Sequence, residues 1–355
     1  AGNNITGANV TYRVVRQTRI PWWMMWRWGG YWPGNAEAQE IAIGETQTDD
    51  QGQFTVSFQA QPDRSVAPTD KPEFQFTVYA DVVDITGETH STERSVTIGY
   101  VTLSVDLNLV ERMDQSKTQH LGISTKNLDG QFQAAAGKIK IYRLQAPAQP
   151  YQNRLWEAPD RPSITEKDFR AAFPTLPFGK EDKPENWTKQ DLILENNFNT
   201  AQNDSIALPM SQLAPGHYAV ELSTQDAKGE KIEFTKFFQT YNSQTKQVPA
   251  NTIFWKDWDK SSVEPGELAN LLLASGLKDL KILLETEKDN RIRNRKWVNL
   301  QGWLEEGYTA KEADRGNVQY LLAYVWNGRA YSDHLTLNVP WSSQELKVEY
   351  QSFRD

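Results

Sequence analysis

Alternation of apolar and polar residues with a period of two runs through most of the chain. After Gly52, the residues Phe54, Val56 and Phe58 alternate with Thr55, Ser57 and Gln59. That spacing puts apolar side chains on one face of a strand and polar ones on the other. The same reading predicts strands at 8–17 (Val10, Tyr12 and Val14 on one face), 39–48, 53–60, 73–83 and 92–99. Val101, Leu103, Val105, Leu107 and Leu109 form an unbroken period-two face, and Ile139 and Ile141 begin another. Further strands are predicted at 205–209, 216–224, 230–240, 252–258, 267–274, 279–287, 291–299, 317–326 and 330–338. Turn signals separate them: Asp49-Asp50-Gln51-Gly52, Asp84-Ile85-Thr86-Gly87, Asn127-Leu128-Asp129-Gly130, Asp226-Ala227-Lys228-Gly229, Asp289-Asn290 and Asn327-Gly328. Asp and Asn tolerate turn geometry, and Gly accepts a positive φ without steric cost. Short strands with frequent turns predict an all-β fold of tandem antiparallel β-sandwich domains, immunoglobulin- or fibronectin-like.

The chain of 355 residues suits two or three such domains. Breaks in the pattern place them at 1–100, 101–243 and 244–340, with residues 341–355 as the opening strand of a further module (Leu346, Val348 and Tyr350 alternate there). Within the second domain the alternation fails from about 146 to 200. There Ser163 and Glu166 have the spacing of a capping box, and Phe169, Ala172 and Phe173 give a short helix an apolar stripe that Pro174 ends. An ordered insertion pinned by Trp156, Phe178 and Trp187 is expected.

The net charge of -8 and a pI near 5.3 disfavour general binding to nucleic acid, which relies on neutralising phosphates. No apolar run approaches the length of a membrane span. Because Ala1 stands just before a strand, a trimmed chain without its targeting signal is expected. Cysteine is absent, which excludes disulfides, thiolate chemistry and Cys-type zinc sites. The sequons at Asn4, Asn9, Asn186 and Asn203 permit a secreted eukaryotic origin, but the missing disulfides favour a bacterial one.

Candidate chemistry is sparse. Trp22, Trp23, Trp26, Trp28, Tyr31 and Trp32 crowd one loop, 20–34, with Met24, Met25 and Arg27 among them. Such rings either fold back over a sandwich end, meet a neighbouring domain or partner, or stack on a sugar. His90, His120, His217 and His334 show no linear metal-ligand spacing. Glu305/Glu306 and Asp257/Asp259 are carboxylate pairs of the kind acidic surfaces carry, and Arg291, Arg293 and Arg295 read as a solvated strand face. No catalytic residue, metal or cofactor is assigned.

Three segments resemble the macroglobulin-like domains of bacterial alpha-2-macroglobulin family proteins. They are Ala8-Asn9-Val10-Thr11-Tyr12-Arg13-Val14-Val15-Arg16 with Gly44-Glu45-Thr46-Gln47-Thr48-Asp49 and Gly52-Gln53-Phe54 beyond it; Phe76-Thr77-Val78-Tyr79-Ala80-Asp81 running on to Thr89; and Val263-Glu264-Pro265-Gly266-Glu267-Leu268-Ala269 with Leu271-Leu272-Leu273-Ala274-Ser275 and Ile282-Leu283-Leu284-Glu285-Thr286-Glu287 beyond it. The resemblance extends over essentially the whole chain and implies a role as a non-enzymatic structural scaffold in protease trapping at the bacterial envelope, periplasmic or surface-exposed. The implied partners are other domains of a larger chain and, through them, proteases. The family's Cys-x-x-Gln thioester does not carry over, since this chain has no cysteine, and no bait segment is identified. The alternative is a carbohydrate- or peptide-binding β-sandwich module that uses the tryptophan loop; a hydrolase built from distant polar residues is a third reading.

Overall fold

The computed structural model describes residues 5–21, 24, 38–84 and 87–341. The chain is an all-β series of antiparallel sheets. Its strands fall into three consecutive groups, called units one, two and three below.

In unit one, β1 (Asn9–Arg19), β2 (Gln39–Gln47), β3 (Glu73–Val83) and β4 (Thr89–Gly99) form one sheet in the order β2-β1-β3-β4. Val10 and Val14 of β1 lie opposite Val82 and Val78 of β3, so the predicted faces match across the ladder. The stretch 53–60, expected as a strand, belongs to no ladder. Its Val56 and Phe58 nevertheless pack on Val14, Phe74 and Phe76. Arg16 anchors its end by donating to the Gln61 carbonyl at 3.0 Å. Alternation reports that one face of a segment is buried, and here a sheet lying beneath the segment buries it without pairing its edge.

Unit two packs a three-stranded sheet on a five-stranded one. The first contains β5 (Leu103–Asn108), β7 (His120–Asn127) and β10 (Ser205–Ala207). The second contains β6 (Arg112–Asp114), β8 (Ala136–Gln145), β9 (Thr188–Asn199), β11 (Gly216–Gln225) and β12 (Lys231–Tyr241), in the order β6-β12-β11-β8-β9. The only parallel ladder among these strands is the short one between β6 and β12. Val105, Leu107, Leu121, Ile139, Ile141, Tyr218, Leu222 and Ile232 are almost wholly buried between the sheets, each worth about 1.5–3 kcal/mol relative to exposure. Met24 also lies in this core, with Ile20 packed against it, although both precede β2.

The insertion differs from expectation in two ways. Its last fifth or so is β9, a long edge strand that pairs with β8. β9 is mostly exposed on both faces and therefore lacks alternation. The helix α1 (Glu166–Ala172) is capped by Thr165, whose Oγ1 accepts from the Asp168 amide at 3.2 Å. Ser163 lies too far before the first helical turn to serve.

Unit three repeats the two-layer plan. β13 (Trp255–Trp258), β14 (Leu268–Ala274) and β17 (Trp303–Thr309) face β15 (Leu280–Lys288), β16 (Arg291–Leu300), β18 (Gly316–Trp326) and β19 (Arg329–Val339). Trp258, Leu271, Leu273, Ile282, Leu284, Tyr320, Leu322 and Leu337 fill the space between.

Four of the described turns share one construction. Asp49, Asp84, Asn127 and Asp226 each accept, through the side chain, from the amide four residues on. The residue three on is a glycine with φ between 72° and 88° (Gly52, Gly87, Gly130 and Gly229), and its amide donates to the first residue's carbonyl. A Cβ at such a φ meets the following carbonyl, so the sequence grammar and the backbone conformation have one cause.

Candidate functional site at the unit junctions

Two of these turns from unit two meet unit one. In the first, Asp226 Oδ2 holds the start of unit two itself, accepting from the Thr102 amide at 3.0 Å and from its hydroxyl at 2.9 Å, and the residues after the turn make the contact with unit one. Burial alone raises the Asp226 carboxyl, but these bonds and those from Glu230 and Lys228 outweigh it, so its pKa falls below 3.8. Lys71 donates to the Lys231 carbonyl at 2.6 Å and pairs with Glu230 at 3.3 Å. In the other turn Asp129 accepts from the Thr97 amide, and Leu128 comes so close to Gly99 that an added Cβ there would sit 3.1 Å from it.

The second junction is aromatic. Tyr241 of β12 lies 4.6 Å from the Trp255 ring, and Trp255 stacks on Trp303 at 5.2 Å. Burial, then the charges of Asp114 and Asp257, push the Tyr241 hydroxyl up to about 12. Asp114, buried on β6, accepts from the Ser243 hydroxyl at 2.5 Å and the Ser116 hydroxyl at 2.8 Å, tying the inter-unit segment back to unit two. The insertion reaches unit three directly. Gln152 donates to the Trp326 carbonyl at 3.0 Å, and Arg329 donates to the Asn153 carbonyl at 2.5 Å.

Between the insertion, β11 and the start of unit three lies a cleft of about 330 Å³. Tyr151, Trp187, Phe254 and Tyr324 supply its aromatic walls, while Arg112, Asp182, Gln239 and Asn251 supply polar groups. His217 meets the Trp187 ring edge to face at 4.9 Å, and its Nε2 is 2.8 Å from Asn251 Oδ1. Burial lowers the His217 pKa below 6.5 against the opposing effect of the Asn251 bond, so the ring is neutral at pH 7. Trp187 is itself held by its indole N–H, which donates to the Glu181 carbonyl at 2.7 Å. No linear motif marks this cleft, because its lining comes from β6, the insertion, β11, β12, the 251–255 segment and β18.

The remaining sequence candidates disperse. Trp22, Trp23, Trp26, Trp28, Tyr31 and Trp32 lie outside the described residues. His120 and His334 are exposed on separate units. His90, Asp84 and Glu88 come together at the β3–β4 hairpin with ligand atoms within 4.8 Å of one another, a spacing able to hold a divalent cation. A linear search for paired histidines misses it. Arg293 and Arg295 are not a free basic face: Arg295 pairs with Glu285, and Arg293 pairs with the buried Asp314 at 3.3 Å. Glu306 pairs with Lys296 at 2.6 Å and Glu305 with Lys246 at 3.4 Å, while Asp259 accepts from Asn270. No helix among the described residues is long and apolar enough to cross a membrane.

These sheets and junctions define a tandem β-sandwich protein. No family model matches the chain, and no curated protein matches it by sequence. Among solved structures it is similar to the native Escherichia coli alpha-2-macroglobulin at 12% identity and a TM-score of 0.31, covering 96% of this chain and 21% of that one. Salmonella alpha-2-macroglobulin reacted with methylamine gives 13% identity and a TM-score of 0.33, again with 96% and 21% coverage. The fibronectin(III)-like modules of Clostridium thermocellum CbhA give 12% and 0.22, covering 70% of this chain and 100% of theirs. The chain thus spans about a fifth of the length of the bacterial alpha-2-macroglobulins.

Proposed function

We propose that the chain is a non-enzymatic scaffold of three β-sandwich domains, at 1–100, 101–243 and 244–340, working within a larger alpha-2-macroglobulin-like protein. The observation that carries the scaffold role is the bonding across both junctions. Side chains such as Lys71, Met24 and Trp255 are spent on holding neighbouring units rather than on presenting reactive groups. The motifs at 8–16, 76–89 and 263–274 support the family reading, and with it a role in protease trapping at the cell envelope, with proteases met through the whole protein. In this reading the frame fixes the positions of other domains, so stiffness is its function.

Spin labels at the exposed positions Thr92 and Arg291 test it. One narrow distance distribution is expected, broadened by Lys71→Ala combined with Trp255→Ala. A broad distribution in the unaltered chain would refute the rigid frame. Offered a protease, peptides or glycans, the chain should form no covalent adduct and turn nothing over. Turnover above buffer that disappears on changing one histidine or carboxylate would make it an enzyme.

A further inference from the structure

We infer that the cleft between units two and three is a binding site for a neutral mono- or disaccharide. A cleft of about 330 Å³ at a domain junction falls in the size range of small-molecule sites and in one of their preferred locations. Its walls include the half-buried rings Tyr151, Trp187 and Tyr324, the last stacked on Tyr331 outside the cleft lining. Aromatic rings lining a cleft can pack against the C–H faces of a pyranose, while their polar tips bond to its hydroxyls.

The polar groups narrow the ligand further. Arg112 and Asp182 are the charged side chains lining the cleft, one of each sign, so neither an anion nor a cation is favoured. Gln239 and Asn251 add side-chain amides, each with a donor and an acceptor. Paired donors and acceptors match vicinal hydroxyls, which both give and take hydrogen bonds. Asn251 Oδ1 is engaged by His217, which leaves its NH2 group to donate to a ligand. A purely apolar ligand would strand these groups without partners.

The ligand would touch the insertion, unit two and unit three at once, so binding should stabilise their arrangement. This inference is independent of the scaffold reading, which stands if no sugar binds.

The test is saturation-transfer NMR on the whole chain with glucose, galactose, N-acetylglucosamine, maltose and cellobiose, and with the zwitterion alanylalanine as a competing class. Transfer to at least one sugar is expected, with a shift of the His217 ring resonances along the same titration. Asp182→Ala and Tyr151→Ala should each weaken binding about tenfold or more, while Trp156→Ala, an exposed ring outside the cleft lining, should not. Melting curves establish that the variants are folded. Absence of transfer from every sugar overturns the proposal. So does transfer that survives both cleft variants, or transfer confined to the dipeptide.

Discussion

Asp226 closes its own turn and holds the first residues of unit two with the same carboxylate. Asp226→Ala leaves the amides of Thr102, Lys228 and Glu230 without their acceptor. It should cost roughly 2 kcal/mol in urea denaturation; a cost near zero would show that water replaces the carboxylate there. The acid response has two windows. His217 has a depressed pKa in the folded chain, so the unfolded chain takes up the proton first. Its contribution is complete above pH 6.5 and is lost as pH falls through the folded value. Asp226 and Asp114 are likewise lowered, from 3.8, so their contribution is present above that pH and lost in stronger acid. Melting temperatures of His217→Gln and the unaltered chain should therefore converge between pH 7.5 and 5; parallel curves would exclude the ring as the titrating group. The Asp-x-x-Gly turns were legible in the sequence because local backbone sterics dictate them. The second use of Asp226, on Thr102, was not, since nothing local joins positions so far apart.

Among elements with one buried face, β3 at 73–83 coincides with its predicted range, whereas β7 was not predicted although Leu121, Ile123 and Thr125 alternate on its buried face. Among largely exposed strands the outcome was mixed: β4 and β16 were predicted at 92–99 and 291–299, whereas β9 was not. β9 carries Lys189, Asp191, Glu195 and Asn197 among few apolar residues, and only its pairing with β8 makes it a strand. β17 was missed for a similar reason, as Glu305 and Glu306 interrupt any period. The insertion before β9 shows the opposite property. Residues 155–164 are exposed, and no main-chain hydrogen bond joins them to other described backbone groups. Leu155 and Trp156 are 73% and 65% exposed, which makes them accessible to a protease. Among sites between 38 and 341, chymotrypsin should cut first after one of these two residues. Mass spectrometry of the earliest fragments checks this, and a first cut within a ladder strand would contradict it.

Across the molecule, the units share side chains as well as backbone. Trp255 is 3% exposed and lies between Tyr241 of unit two and Trp303 of unit three. Trp255→Ala should cost about 3–5 kcal/mol and separate the unfolding of units two and three into two calorimetric transitions. A single unshifted transition would mean the stack adds nothing to their coupling. The cleft beside it was illegible for the reason the junction matters. Its walls are assembled only once two units dock, whereas sequence patterns report each strand against its own sheet.

The outer strand of unit one also governs whether many copies of the chain stay apart. β4 is the last strand of its sheet and pairs with no further strand among the described residues, unit two meeting it at Thr97 and Gly99, and its residues from Ser95 run into Val105 without a single charge. An uncharged, β-prone stretch at a free edge is a template for fibrils. Glu93 and Arg94 stand immediately before it and Asp106 immediately after, and like charges brought into register by stacking copies repel. Replacing Glu93 and Arg94 with valine should therefore leave each molecule folded yet let a concentrated solution grow thioflavin-positive fibres, which the unaltered chain resists.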